Sequence, residues 1–202
     1  MKNIGYIICL VLYGVCSFLY ASEKEKNQLQ ADIEKMQFFS ANFTQKVVDK
    51  NHQVLQNIEG KMAIKKPGYF YWKQFDEDNL LIVADGKSVY IFDELIEQVT
   101  ILKSDDAINE TPLALLVSQD KTIWQDYHVN FVDQCYQLKH QKVGLIKTMS
   151  VCFEKHILQS LSFVDDQNTH TIIEFTQPSR KENMSLFAFS IPKGVSVDDR
   201  RQ

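Results

Sequence analysis

The stretch LLIVADGKSVYIF, residues 80–92, decides the fold class. Two β-prone runs, Leu80–Ala84 and Ser88–Phe92, flank the dipeptide Asp85-Gly86. An Asp-Gly pair between two such runs is typical of a tight turn that joins antiparallel strands. The stretch therefore predicts a β-hairpin, and the sequence on both sides continues the pattern.

Apolar and polar residues alternate on the N-terminal side of this hairpin, over Phe39–Gln45 and Ile58–Ile64, and an aromatic run, Tyr69–Lys73, follows Pro67-Gly68. An alternation with period two is typical of strands with one buried face. The same signal recurs further along the chain at Gln98–Leu102, His128–Val132, Tyr136–Lys139, Lys147–Phe153, Leu158–Val164, Thr169–Thr176 and Ser185–Ile191. About eleven sequential strands with short turns predict one curled antiparallel sheet or open barrel.

The segment from about Glu23 to Gln37 has the period of a helix instead. Leu29, Ile33 and Met36 share one face, while charged residues such as Asp32 are assigned to the other faces. A helix with a single apolar stripe must bury that stripe against another element. We therefore expect this helix to cover the concave face of the sheet.

A second helical signal interrupts the strands. Thr111-Pro112 before Leu113–Val117 is a favourable helix start, because proline fits the first helical position. A further short helical turn is predicted near Lys121–Trp124. The expected fold is thus mainly β within the α+β class, an incomplete antiparallel barrel with a helical lid over a hydrophobic cavity.

The N-terminus reads as a secretory signal peptide. Lys2 precedes an apolar run, Ile4–Tyr20, which ends at Ala21 before a charged segment. We predict cleavage after Ala21, which leaves residues 22–202 as one domain. Two alternatives stay open: an uncleaved membrane anchor, and lipidation at Cys16, although the preceding Val15 is not the small residue that a lipobox requires.

The composition narrows the function. A formal net charge of −4 argues against nucleic acid as a partner. The five histidines form no His-x-x-x-His pair, and neither a Gly-x-Ser-x-Gly motif nor a Gly-rich phosphate loop is present. Pairs of aspartates lie in turn or terminal contexts, where they usually bond nearby amides. We expect no catalytic residue, no metal and no cofactor.

Two cysteines, Cys135 and Cys152, remain after removal of the leader. They lie symmetrically about the turn predicted near Val143-Gly144, so they could face each other across a hairpin. Export permits a disulfide. Two free buried thiols are the alternative, because the sequence does not supply the Cβ geometry.

Large apolar side chains are abundant in this chain, which has thirteen Phe, eight Tyr and two Trp. Most of them are expected to form the core, but helices that cover a curved sheet can also leave a cavity for a hydrophobic ligand. The candidate lid and cavity residues are Leu29, Ile33, Met36, Phe39, Phe43, Met62, Ile64, Phe70, Trp72, Ile91, Leu113 and Leu116.

Several strand passages, in order, resemble the outer-membrane lipoprotein carrier family, LolA. Phe39–Gln45 is similar to its first strand, and Lys66–Trp72 resembles its basic-Pro-x-x-Phe-x-Trp motif. Further matches are Ala84–Lys87, Glu97–Thr100, Thr111–Leu113, Pro192–Val195 and Val197–Gln202. The ordered set spans nearly the whole chain after the leader.

The resemblance implies a monomeric periplasmic carrier of triacylated lipoproteins. In that family an inner-membrane ABC transporter supplies the cargo and an outer-membrane acceptor lipoprotein of similar fold receives it. Phe70 matches an aromatic residue near the cavity mouth. Lys66 matches an arginine that holds the lid shut, although lysine lacks the planar guanidinium fork. The alternatives are a membrane-anchored acceptor or a lipid-binding sensor of the same fold and, less favoured, a hydrolase.

Overall fold

The computed structural model describes residues 23–75, 79–104, 114–117, 121–141 and 146–201. Within these ranges helix α1 covers residues 23–35, a short helix α2 covers Ala114–Val117, and 3-10 helices cover Lys121–Asp126 and Met184–Phe187. The strands are β1 (Phe38–Val48), β2 (Val54–Lys65), β3 (Tyr69–Gln74), β4 (Leu81–Asp85), β5 (Ser88–Asp93), β6 (Gln98–Lys103), β7 (Tyr127–Val132), β8 (Cys135–His140), β9 (Ile146–Glu154), β10 (Ile157–Asp165), β11 (His170–Ser179) and β12 (Ser196–Asp199).

All twelve strands belong to one sheet in the order β12-β6-β5-β4-β3-β2-β1-β11-β10-β9-β8-β7. Neighbours are antiparallel except for β12, which pairs in parallel with β6. The first and last strands of this order are not paired with each other among the described residues, so the sheet is an open barrel. This confirms the predicted fold class, with one strand more than the expected number.

The hairpin that decided the fold joins β4 to β5 as predicted. One carboxylate oxygen of Asp85 accepts hydrogen bonds from the backbone N–H groups of Lys87 and Ser88, both at 2.8 Å. Gly86 has φ +87°, a left-handed conformation that glycine adopts without a steric penalty. The local sequence thus determines this turn directly.

The strands bury one set of side chains on the inner face and a smaller set on the outer face. The inner set forms a single large cluster that includes residues from both halves of the sheet and from α1 and α2. On the outer face Phe38 and Ala63 pack with Phe187 from the C-terminal segment. Phe189 of the same segment lies 5.2 Å from Tyr90, ring centre to ring centre.

The predicted strand Ser185–Ile191 is therefore wrong. This segment contains a 3-10 helix at Met184–Phe187 and then crosses the outer face without joining the sheet. Its alternating apolar residues reflect packing on outer-face aromatics rather than a β-ladder. After this crossing the chain enters the sheet as β12, which the sequence analysis did not predict.

Cys135 and Cys152 form a disulfide bond. They are paired residues of β8 and β9, with their Cα atoms 4.2 Å apart. The adjacent Tyr136 belongs to the inner cluster, so the alternation of a strand places the disulfide on the outer face. It therefore links two strands without contributing to the apolar inner surface.

Candidate functional site

Helix α1, called here the lid helix, lies against the inner face of the sheet. Its residues Leu29 and Ile33, with Met36 just after it, expose 0%, 2% and 4% of their surface and belong to the inner cluster. Because the apolar stripe is narrow, the helix buries only this side and leaves most of its charged residues at the surface. The expected position of the helix is thus correct.

Aromatic rings form the floor beneath the lid on the first half of the sheet. Phe43 of β1 stacks on Trp72 of β3 with ring centres 3.7 Å apart, and Phe70 lies 6.3 Å from Trp72. Gly60 of β2 permits this arrangement, since a Cβ there would collide with the Phe43 ring and with the carbonyl oxygen of Lys73. This part of the site is therefore an apolar surface made of closely packed aromatic rings.

The structure brings most of the candidate residues together. All of the candidates except Ile91 and Leu113 are buried members of the inner cluster. Ile91 is half-buried and packs against that cluster, whereas Leu113 lies outside the described residues. Trp124 of the 3-10 helix also belongs to this cluster. The second half of the sheet supplies inner residues that were not singled out, although their period-two pattern could have revealed them: Val129, Tyr136, Leu138, Met149, Val151, Leu158, Leu161, Ile173 and Phe175.

Lys66, in the turn between β2 and β3, connects the sheet to the lid helix. Its ammonium nitrogen lies 3.6 Å from a carboxylate oxygen of Glu34, and its side chain is only 9% exposed. Its backbone N–H donates to the carbonyl of Gln37, just beyond the helix, at 3.0 Å. We call the Lys66–Glu34 pair the Lys66 latch. These contacts place Lys66 beside the lid helix, and its role in holding the lid shut stays a prediction.

A second set of polar contacts joins the lid helix to the other half of the sheet. Asp32, which the sequence assigns to a face other than the apolar stripe, is nevertheless buried and only 5% exposed. Its carboxylate accepts a hydrogen bond from the Tyr136 hydroxyl of β8 at 3.1 Å, and Nδ1 of His156 lies 2.8 Å from it. Because an ionised carboxylate only accepts, we assign the proton to Nδ1.

Electrostatics keeps Asp32 ionised and Tyr136 neutral. Burial raises the pKa of Asp32, but hydrogen bonds from His156, Gln28 and Tyr136 more than compensate and leave this pKa below its usual 3.8. Burial, together with the hydrogen bond to Asp32, raises the pKa of Tyr136 to about 12. The pair therefore stays a charged acceptor and a neutral donor at physiological pH.

The first turn of the lid helix has a further contact with an edge strand. Glu25 accepts a hydrogen bond at 3.0 Å from the backbone N–H of Phe131 in β7. This N–H lies on the free side of an edge strand, where it would otherwise face solvent. Lid contacts are therefore distributed along the helix rather than concentrated at one end.

This fold and this site define a class of protein. A curved open sheet with an apolar inner face beneath a covering helix is suited to holding a hydrophobic ligand out of water. The buried residues of the inner face form one large apolar cluster, and Asp32, Tyr136 and His156 add polar contacts between the lid helix and the sheet. No helix in the described ranges is long and apolar enough to span a membrane.

Comparison with known proteins identifies the family within this class. The sequence profile of the outer membrane lipoprotein carrier protein LolA matches residues 34–192. An outer-membrane lipoprotein carrier protein of Shewanella loihica is 34% identical, covering 100% of this chain and 97% of that protein. A protein of the same name from Idiomarina loihiensis is 32% identical, covering 91% and 92% of the two chains.

A solved structure supports the fold. An uncharacterized conserved protein from Thermus thermophilus superposes with a TM-score of 0.54 at 12% identity, covering 86% of this chain and 98% of that one. The chain belongs to the LolA family of outer-membrane lipoprotein carrier proteins. Membership confirms the resemblance seen in the sequence and the predicted role, a periplasmic carrier in lipoprotein transport to the outer membrane.

Proposed function

We propose that the structure represents the closed, cargo-free carrier, in which the lid occupies the surface that acyl chains use. The observation that carries this proposal is the burial of Leu29, Ile33 and Met36 in the same cluster as the strand residues of the inner face. Acyl chains and these side chains compete for one apolar surface. Loading then requires the lid helix to move away.

This competition solves an energetic problem of the carrier. Each buried methylene contributes about 0.8 kcal/mol, so the full burial of three acyl chains would exceed the roughly −18 to −21 kcal/mol at which noncovalent affinity saturates. Such a cargo would not leave. The five described lid side chains Leu29, Ile33, Met36, Leu115 and Leu116 are buried. Their displacement opposes binding by roughly 8–15 kcal/mol, as an upper value.

We infer that an inner-membrane ABC transporter loads the carrier and that an outer-membrane acceptor lipoprotein unloads it, as the sequence resemblance implied. Outside the cytosol ATP is not expected, so delivery must follow a gradient of affinity from carrier to acceptor. We expect the carrier to act as a monomer, which size-exclusion chromatography with light scattering would test.

We infer that residues 1–21 are a cleaved signal peptide and that residues 22–202 form the working domain. Family membership places the chain in the periplasm, which requires export. Mass spectrometry of the protein purified from cells tests this directly. A free N-terminal Ser22 is expected, whereas an acylated Cys16 would instead indicate a membrane-anchored acceptor.

We also infer that the carrier acts without catalysis, metal or cofactor. Transport is the role that its family name describes. The described residues contain no group of three or more His, Cys, Asp or Glu placed to hold a metal ion. Incubation with a triacylated lipopeptide, followed by mass spectrometry, should return the lipopeptide intact. Released fatty acid would favour a hydrolase.

A covalently closed lid tests the central proposal. Glu34→Cys and Lys66→Cys place two thiols where the Lys66 latch now stands, and a short bismaleimide reagent can join them. We expect the crosslinked protein to lose binding of a fluorescent triacylated lipopeptide, because its inner face stays covered. The same double variant without the reagent is the control and should bind. Undiminished binding after crosslinking would show that cargo does not use the surface beneath the lid.

A further inference from the structure

The lid helix is fastened to both halves of the sheet. The Lys66 latch acts from the turn between β2 and β3, whereas Asp32 contacts β8 and the turn between β9 and β10. In the sheet order β1 and β11 lie between these two regions. The helix therefore bridges the inner face, and polar groups hold it at each side of the bridge.

A buried carboxylate at the position of Asp32 is an energetically unfavourable means of holding a helix in place permanently. Removing an ion from water costs several kcal/mol, and well-packed apolar groups usually replace such contacts without loss of stability. A carboxylate does, however, regain its hydration when the helix lifts off, which offsets the contacts that are broken. Contacts of this kind are therefore suited to a helix that must leave the sheet and return to it.

We propose that Asp32, Tyr136 and His156 form a second latch, here the Asp32 latch, which positions the lid helix over the far half of the sheet and must open for cargo to bind. This inference rests on the proposed displacement of the lid. Tyr136 and His156 are positioning residues, because their polar groups act on the lid helix rather than on the acyl chains.

The surroundings of the latch fit this role. From the helix itself, Gln28 lies at hydrogen-bond distance, 3.4 Å, and the Lys35 ammonium is 3.5 Å away, so Asp32 keeps a partner after opening. From the sheet side, Arg180 donates to the backbone carbonyl of His156 at 2.6 Å. Lys155 and His156 have φ +49° and +62°, a left-handed conformation that is typical of tight turns and that histidine adopts more often than most residues. The imidazole is thus held by a turn that is itself anchored.

Hydrogen exchange, read by mass spectrometry on the mature protein, tests the latch. Asp32→Asn and Tyr136→Phe weaken or remove hydrogen bonds that involve a charged group. We expect the amides of residues 23–35 to exchange roughly tenfold faster in each variant, since such a bond contributes about one power of ten or more to an equilibrium. Amides of β1 and β2 should exchange as in the unsubstituted protein.

A matched control removes the same group elsewhere. Tyr127→Phe deletes a hydroxyl from β7, where the ring packs 4.8 Å from His140. Residues 23–35 should exchange normally in this variant. In the double variant Asp32→Asn with Tyr136→Phe, exchange should accelerate by less than the product of the two single accelerations, because both substitutions remove one shared hydrogen bond.

Two results would overturn the latch. Unchanged exchange in residues 23–35 would show that these contacts do not hold the lid, and equal acceleration in β1 and β2 would show a merely structural role. The proposed function is tested separately by the crosslinked lid. If crosslinking blocks lipopeptide binding while both Asp32-latch variants behave like the unsubstituted protein, only the second latch is wrong. If crosslinked protein still binds, the lid mechanism itself fails.

Discussion

Replacement of Leu29 by alanine should strengthen cargo binding, although it removes a buried apolar side chain. Leu29 is fully buried between the lid helix and the sheet. A Leu→Ala change in a core costs about 2–5 kcal/mol. Here we expect most of this loss to fall on the closed state, because the side chain leaves the inner face when the helix lifts off.

The magnitude follows from the population of open carrier. A loss of about 2 kcal/mol raises the ratio of open to closed forms roughly thirtyfold. Since apparent affinity scales with the fraction of the binding-competent form, the Kd for a triacylated lipopeptide should fall by about tenfold or more until opening is complete. Fluorescence titration with a labelled triacylated lipopeptide measures this, and release to vesicles should slow in parallel.

The control is Val83→Ala. Val83 is 1% exposed and lies on the outer face, opposite the lid, because the preceding Ile82 pairs with Trp72 and packs against the inner cluster. This substitution should lower the free energy of unfolding without changing the Kd. Weaker lipopeptide binding by Leu29→Ala would refute the reasoning, because it would mean that Leu29 helps to hold the cargo rather than to exclude it.

Three further outcomes are expected. Lys66→Arg should raise the Kd for the labelled lipopeptide roughly two- to fivefold, because a guanidinium can bond the Glu34 carboxylate with two parallel hydrogen bonds and so stabilises the closed form that excludes cargo; an unchanged Kd would remove Lys66 from latching. The pKa of Asp32 lies below its usual value in the folded protein, so its stabilising effect should be complete above pH 3.8 and disappear as the pH falls through the lowered pKa. The difference in unfolding free energy between the unsubstituted protein and Asp32→Asn should therefore shrink in acid, and a constant difference would contradict this assignment. Cys135→Ser with Cys152→Ser should lower the unfolding free energy by about 2–4 kcal/mol in urea denaturation, with lipopeptide binding unchanged because the disulfide lies on the outer face.

The strands and their faces were largely predictable from sequence. Alternation over β1, β2 and β8 to β11 located the strands to within a few residues, and Asp85-Gly86 determined a hairpin through its own backbone preference. The lid helix was predictable for the same reason, since Leu29, Ile33 and Met36 recur with the helical period. Such patterns are local, so a single sequence contains them.

The C-terminal segment shows where local patterns fail. Ser185–Ile191 alternates like a strand, but Phe187 and Phe189 pack on outer-face aromatics instead. Whether an alternating segment joins a ladder depends on a free strand edge nearby, and the edge of β6 is taken by β12. That pairing joins residues about a hundred positions apart, and no local signal reports it.

Asp32 shows which properties of this protein follow from the sequence and which follow only from the tertiary structure. Its position at the margin of the apolar stripe, three residues from Leu29 and four from Met36, follows from the sequence alone. The sequence also determined the apolar inner surface, the helix that covers it and, through ordered motifs, the family. Only the tertiary structure decided that Asp32 is buried against Tyr136 and His156, more than a hundred residues away, and that Glu34 meets Lys66. Hydrophobic periodicity is a property of each segment by itself. A polar contact between distant segments forms only after the sheet has curved and the helix has docked on it.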